Sequence, residues 1–217
     1  MTYTLADIRG RIEQKLDDTS FGTAKLNQFI NDGQRDILNS RKFVFMERET
    51  DVTTTDGVNT LTGLPTDMQV PLTLKVYTPV GNAMLLPYVE YEVIDANIPN
   101  ITVSGTTAPA AWYIFNLIPY IYPVANGEYT LKLKYVKEAT ELTDDASVPE
   151  IPQSFGEVLV LAAFKRALEH NDDYDQAQLI QRQIDEQIGL MDDRYKRQSG
   201  TPHIMAQPFR IRRNGRW

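Results

Sequence analysis

The 217 residues include 29 acidic and 22 basic side chains, 42% hydrophobic residues and no cysteine. Such a chain can bury one good core or two modest ones without disulfide staples, and it has neither a thiolate zinc site nor a thiol nucleophile. Seven of the 22 Lys and Arg lie between Arg194 and Trp217, where no Asp or Glu occurs, so a stretch at −14 is followed by an end at +7, which excludes a globally cationic nucleic-acid-binding surface.

Met1 to Gly10 carries Asp7 among its apolar positions and lacks the apolar run of a signal peptide. No stretch approaches the roughly 20 apolar residues of a membrane span. A soluble product made in the cytoplasm is expected, with no membrane partner.

Leu5, Ile8, Ile12 and Leu16 recur at spacings of three and four, which places them on one face of a helix, and Thr4 with Asp7 has capping-box spacing. After a break at Asp17 to Gly22, Thr23 is positioned to start a second helix. It carries Leu26, Phe29, Ile30, Gly33, Ile37 and Leu38 on one stripe. From Phe43 the period becomes two, so strands are expected to begin there and to run to the Asp56-Gly57 turn signal.

Further strands are predicted at Val58 to Leu61, Leu72 to Tyr77, Ala83 to Leu86, Trp112 to Leu117 and Tyr129 to Val136. The last is the clearest, with Tyr129, Leu131, Leu133 and Tyr135 on one face and Thr130, Lys132, Lys134 and Val136 on the other. Ten of the 12 prolines lie between Pro65 and Pro152, as suits a turn-rich β region.

Helices return after Pro152. Ser154 and Glu157 have capping-box spacing ahead of Val158 to Phe164, a run that is apolar all round and therefore central. Asn171 to Asp173 interrupts it, and Asp173 with Gln176 can cap a fourth helix bearing Ala177, Ile180, Ile184, Ile188, Met191 and Tyr195. Ser199, Gly200 and Pro202 end regular structure.

The predicted fold class is α+β: four main helices, two N-terminal and two C-terminal, form a body with an inserted antiparallel β domain and an extended C-terminal arm. The implied units are residues 1–42 and 138–198 for the body, 43–137 for the β domain and 199–217 for the arm.

Catalytic signatures are sparse. The carboxylate pairs Asp17-Asp18, Asp144-Asp145, Asp172-Asp173 and Asp192-Asp193 lie at helix ends and in loops, where capping and solvation account for them, although convergence would make a Mg²⁺-dependent hydrolase site. His170 and His203 are the only histidines and have no ligand-like partner at short spacing, so both read as surface residues. No glycine-rich phosphate loop and no GxSxG elbow occurs. No enzymatic activity, metal or cofactor is therefore assigned.

Trp112, Tyr113, Phe115, Tyr120 and Tyr122 could stack bases or line an interface, but aromatics in a strand most often form core. The charged positions Arg182, Asp185, Glu186, Asp192 and Asp193 of the fourth helix read as a solvated face or a subunit contact.

The arm differs in kind. Phe209, Ile211 and Trp217 are interleaved with Arg210, Arg212, Arg213 and Arg216, and apolar anchors between arginines suit a protein interface. These seven residues are the candidate partner-binding site. The alternative is a DNA-binding accessory protein that uses the same basic arm on phosphates.

The order of motifs resembles the head-to-tail adaptor (connector) proteins of short-tailed bacteriophages, including the tail tubular protein A type. The residues carrying the resemblance are Leu26 to Ser40 running into Lys42-Phe43-Val44-Phe45, Leu64-Pro65-Thr66-Asp67-Met68 before Leu72 to Tyr77, Trp112-Tyr113, Ile118 to Pro123, Tyr129 to Tyr135, and Ile151 to Leu159. It covers about residues 1 to 198, and Phe43 stands where many relatives carry tryptophan.

The resemblance implies a structural virion protein of the neck or tail region, made in the host cytoplasm. Copies of it, usually twelve, would form a ring that binds the portal protein and offers a platform for tail nozzle or tail fibre proteins. DNA would pass through the centre without specific binding. The arm would reach a neighbouring subunit or the portal.

Overall fold

The computed structural model describes residues 3–16, 21–77, 83–97 and 106–195. The expected pattern holds in α1 (Leu5–Leu16): Leu5, Ile8 and Ile12 are completely buried. At its start the Asp7 amide donates to Thr4 Oγ1 (3.2 Å), while the Asp7 carboxylate accepts from the Thr4 hydroxyl (2.9 Å) and amide (3.2 Å). These bonds from Thr4 hold the Asp7 carboxyl below its ordinary pKa.

In α2 (Thr23–Ser40), Leu26, Phe29, Ile30, Gly33, Ile37 and Leu38 are buried as read. Thr23 is its first residue but not its cap, because Gly22 holds the extended N-cap position without a side-chain bond.

The strand expected from Phe43 is instead a 3-10 turn over Val44–Met46. Three-residue spacing sends Phe43 and Met46 into the same core, where Phe43 also stacks on Phe45 with 5.0 Å between ring centres. Extended chain begins only at β1 (Glu47–Thr54).

Val58 to Leu61 does not form a full strand, since the ladder holds only β2 (Leu61–Thr62). β3 (Met68–Tyr77) is longer than read and runs through Pro71. Proline is tolerated there because β4 (Ala83–Leu85) pairs only with Lys75 to Tyr77, which leaves the outer side of Pro71 without a ladder partner.

Four short elements were not legible: α3 (Tyr91–Asn97), β5 (Thr106–Thr107), the strand β7 (Ile118–Tyr122) that pairs with β6 (Ala111–Phe115), and β8 (Val124–Ala125). β8 pairs in parallel with β5, a local exception to the antiparallel pattern.

The main sheet has the order β2-β1-β9-β3-β4, with β9 (Thr130–Lys137) in its centre and all pairings antiparallel. Leu131, Leu133 and Tyr135 point into a core with Val52, Leu74, Trp112 and Ile121. Lys132 and Lys134 take the other face and pair with Asp51 (3.7 Å) and Glu47 (2.5 Å) on β1.

The return from the sheet is an irregular segment, with a turn closed by the Ser147 amide on the Asp144 carbonyl (2.8 Å), that ends in a 3-10 turn at Gln153–Phe155. Here the expected Ser154–Glu157 cap does not form. Phe155 is drawn into the core and becomes the N-cap of α4 (Gly156–His170), and Glu157 pairs with Lys15 at 3.0 Å.

Val158 to Ala163 of α4 are all buried, and the helix packs on α1, α2 and α5 (Tyr174–Tyr195). At Gly33 α2 lies close against α4, since a Cβ built there would be 3.1 Å from Ala162 Cβ. Asp173 caps α5 as read, accepting the Gln176 amide at 3.2 Å.

Candidate interaction surface

The β6–β7 hairpin is anchored by its inner half and bare at its tip. Trp112 and Ile121 are buried in the sheet core, and Tyr113 stacks on Tyr120 with 5.3 Å between ring centres. Tyr113 accepts a hydrogen bond from Asn59 (3.0 Å). Burial pushes its hydroxyl above the ordinary pKa of 10.0, against the opposing effect of that hydrogen bond. Of the five aromatics singled out, Trp112 and Tyr113 are thus core, Tyr120 and Tyr122 are half-buried, and Phe115 lies 49% exposed.

Phe115 pairs with Ile118 across a two-residue turn, in which Asn116 (φ 50°) and Leu117 (φ 64°) are both left-handed. A hairpin turn of that kind favours Asn at the first position and Gly at the second. A branched side chain there costs of order 1 kcal/mol, and Leu117, 65% exposed, recovers little of it by burial among the described residues.

Acidic α3 flanks the tip. Glu92 and Asp95 share a surface hollow with Tyr88, Tyr91 and Phe115, and Tyr91 lies 4.7 Å from Phe115 between ring centres.

At the opposite end of the sheet, a groove of about 420 Å³ opens between the end of α2 and the β3/β9 edge. Phe43, Met46, Val70, Leu72, Val136 and Ala139 make it apolar, and the exposed Arg41 and Lys42 border it. Arg41 reaches Asp192 at 3.5 Å.

The carboxylate pairs do not converge. Asp145 accepts from Arg9 (2.9 Å), Asp172 from the Tyr174 hydroxyl (3.2 Å), and Asp173 caps α5, while Asp17-Asp18 lies outside the described residues. No three His, Asp or Glu among the described residues are grouped so as to hold a metal ion.

His170 is exposed at the end of α4 with its ring 5.7 Å from Phe21 and 5.9 Å from Phe29. Arg182, Asp185, Glu186 and Asp193 are exposed, and Asp192 is partly buried beside Arg41. His203 and the arm residues Phe209, Arg210, Ile211, Arg212, Arg213, Arg216 and Trp217 lie outside the described residues. Tyr195, the last residue of α5, has its ring centre 5.4 Å from that of Phe45 and 6.1 Å from that of Phe155.

Phe115 was among the aromatics that could line an interface, but Leu117 and Ile118 were not singled out, although a signal was present. Ala96 to Gly127 contains no Asp, Glu, Lys, Arg or His in 32 consecutive residues of a chain that is 24% charged. Uncharged chain with exposed apolar side chains marks an interaction site more often than a solvated loop.

A family model described as SU10 adaptor protein matches residues 3–206. No curated protein matches the chain.

Proposed function

The chain belongs to the SU10 adaptor protein family, which has a structural role as a phage adaptor of the virion neck, and from that premise we propose that its copies form a ring joining portal to tail. The observation carrying this reading is the family match over nearly the whole chain.

In this reading residues 1–42 and 138–198 are the body, 43–137 an inserted β domain and 199–217 a docking arm, in the manner of the tail tubular protein A type. Phe209, Ile211 and Trp217 anchor the arm in a protein socket, and Arg210, Arg212, Arg213 and Arg216 make charge-assisted hydrogen bonds around them. The acidic stretch, −14 before Arg194, repeated around a ring repels phosphates, which lets the genome pass without being retained.

Deletion of residues 199–217 tests the arm. The truncated protein is expected to keep its helical circular dichroism and melting cooperativity but to fail to join tailless heads. Normal joining by the truncated protein contradicts the arm assignment. Tight duplex binding that weakens steeply with salt, at a log–log slope of about −0.9 per phosphate contacted, supports the DNA-binding alternative instead.

A further inference from the structure

We propose that the β6–β7 hairpin tip of one copy, Phe115 to Ile118, seats in the apolar groove between α2 and the β3/β9 edge of a neighbouring copy. This rests on the ring reading above and supplies a contact by which the ring closes.

Three observations carry it. First, Leu117 holds a left-handed backbone at φ 64° while 65% exposed, so the chain keeps a strained, apolar knob that the described residues leave mostly uncovered. Phe115 and Ile118 extend the knob, at 49% and 38% exposed.

Second, the same chain offers a receptor of fitting chemistry. The groove is apolar, about 420 Å³ in volume, and large enough for one or two such side chains. Its border carries Arg41 and Lys42, whereas the knob is flanked by Glu92 and Asp95 of α3. An apolar centre with opposite charges around it is the usual anatomy of a specific interface.

Third, the two features lie toward opposite ends of the sheet. The groove includes Gln69 at the start of β3 and Lys137 at the end of β9. The hairpin instead meets the far end of the sheet, through the Thr60–Tyr120 bridge and the Ile121 amide bonded to the Asn59 carbonyl (3.0 Å). A knob at one end and its receptor at the other give a head-to-tail contact, the kind that closes into rings by rotation.

The absence of cysteine makes the test clean. The full chain carrying Leu117→Cys and Gln69→Cys is assembled with the portal protein of the same phage and treated with a short bis-maleimide. A ladder of covalent multimers is expected from the double variant and none from either single variant.

In parallel, Leu117→Gly is expected to raise the melting temperature of the isolated chain while weakening ring formation about tenfold or more. Lys42→Glu should weaken it as well, and adding Glu92→Lys should restore it. Normal ring formation by Leu117→Gly, together with no ladder from the Leu117→Cys, Gln69→Cys double variant, overturns this contact and leaves the proposed function standing. Failure of the unaltered chain to form any ring with the portal refutes both.

Discussion

Asn31 reads the backbone of Leu142 as a neighbouring strand would. Its Nδ2 donates to the Leu142 carbonyl (3.0 Å) and its Oδ1 accepts the Leu142 amide (2.8 Å), both buried. One turn later Gln34 repeats the device, donating to the Thr140 carbonyl (2.9 Å) and accepting the Glu150 amide (3.1 Å). Two polar side chains three residues apart on α2 thereby fix the segment that leads from β9 back to α4.

Asn31→Ala removes both bonds and leaves a buried peptide group with no partner. A loss of about 2–3 kcal/mol is expected, read as a lower urea midpoint at unchanged m-value. Asn31→Asp keeps the acceptor for the Leu142 amide but sets a carboxylate against the Leu142 carbonyl. It should be destabilised at neutral pH and partly recover under acid, where the protonated group can donate.

Gly33 sits where α2 faces Ala162 and Ala163 of α4. A valine there must displace Ala162 and the Ala163 backbone, whose nitrogen lies 3.4 Å from the first added carbon. Gly33→Val should cost about 3 kcal/mol in thermal or urea unfolding. In Gly33→Ala the crowding is offset by the roughly 1 kcal/mol gain in helix propensity, so it should stay near neutral.

Glu150 joins the sheet to the helices by accepting from Lys137 (2.6 Å) and Thr140 (3.0 Å), with Arg48 at 3.6 Å. Burial alone would raise its carboxyl, but these hydrogen bonds and the charges of Lys137 and Arg48 outweigh burial and hold it below the ordinary 4.5. A carboxyl with a lowered folded-state pKa contributes its full stability above that ordinary value and loses it as pH falls through the folded one. Glu150→Gln should therefore be less stable than the unaltered chain at pH 7, with the difference shrinking below about pH 4.5.

The long elements were legible in the sequence, and of the short ones only β4 and the start of β6 were. Leu5, Ile8 and Ile12, or Leu131, Leu133 and Tyr135, repeat often enough for period alone to reveal which face is buried. Phe43 to Met46 alternate like a strand, yet the pull of Phe43 and Met46 into one core winds them into a turn. The seven residues of α3 are too few for helical period to show, and Pro119 and Pro123 masked the strand that completes the hairpin.

The hairpin tip was hidden for a different reason. Its mark is a backbone angle at Leu117, and nothing in the letters Asn-Leu announces a turn that glycine would ordinarily fill. Replacing Leu117 by glycine should stabilise the isolated chain by about 0.5–1 kcal/mol, measured by denaturant unfolding, since the strain disappears and almost no buried surface is lost.

The most direct test of the adaptor reading is the native mass of the full-length chain, measured alone and after mixing with the portal protein of the same phage. A monomer alone and a closed ring of copies on the portal are expected. A chain that stays monomeric with the portal present, at concentrations where both are folded, would contradict it.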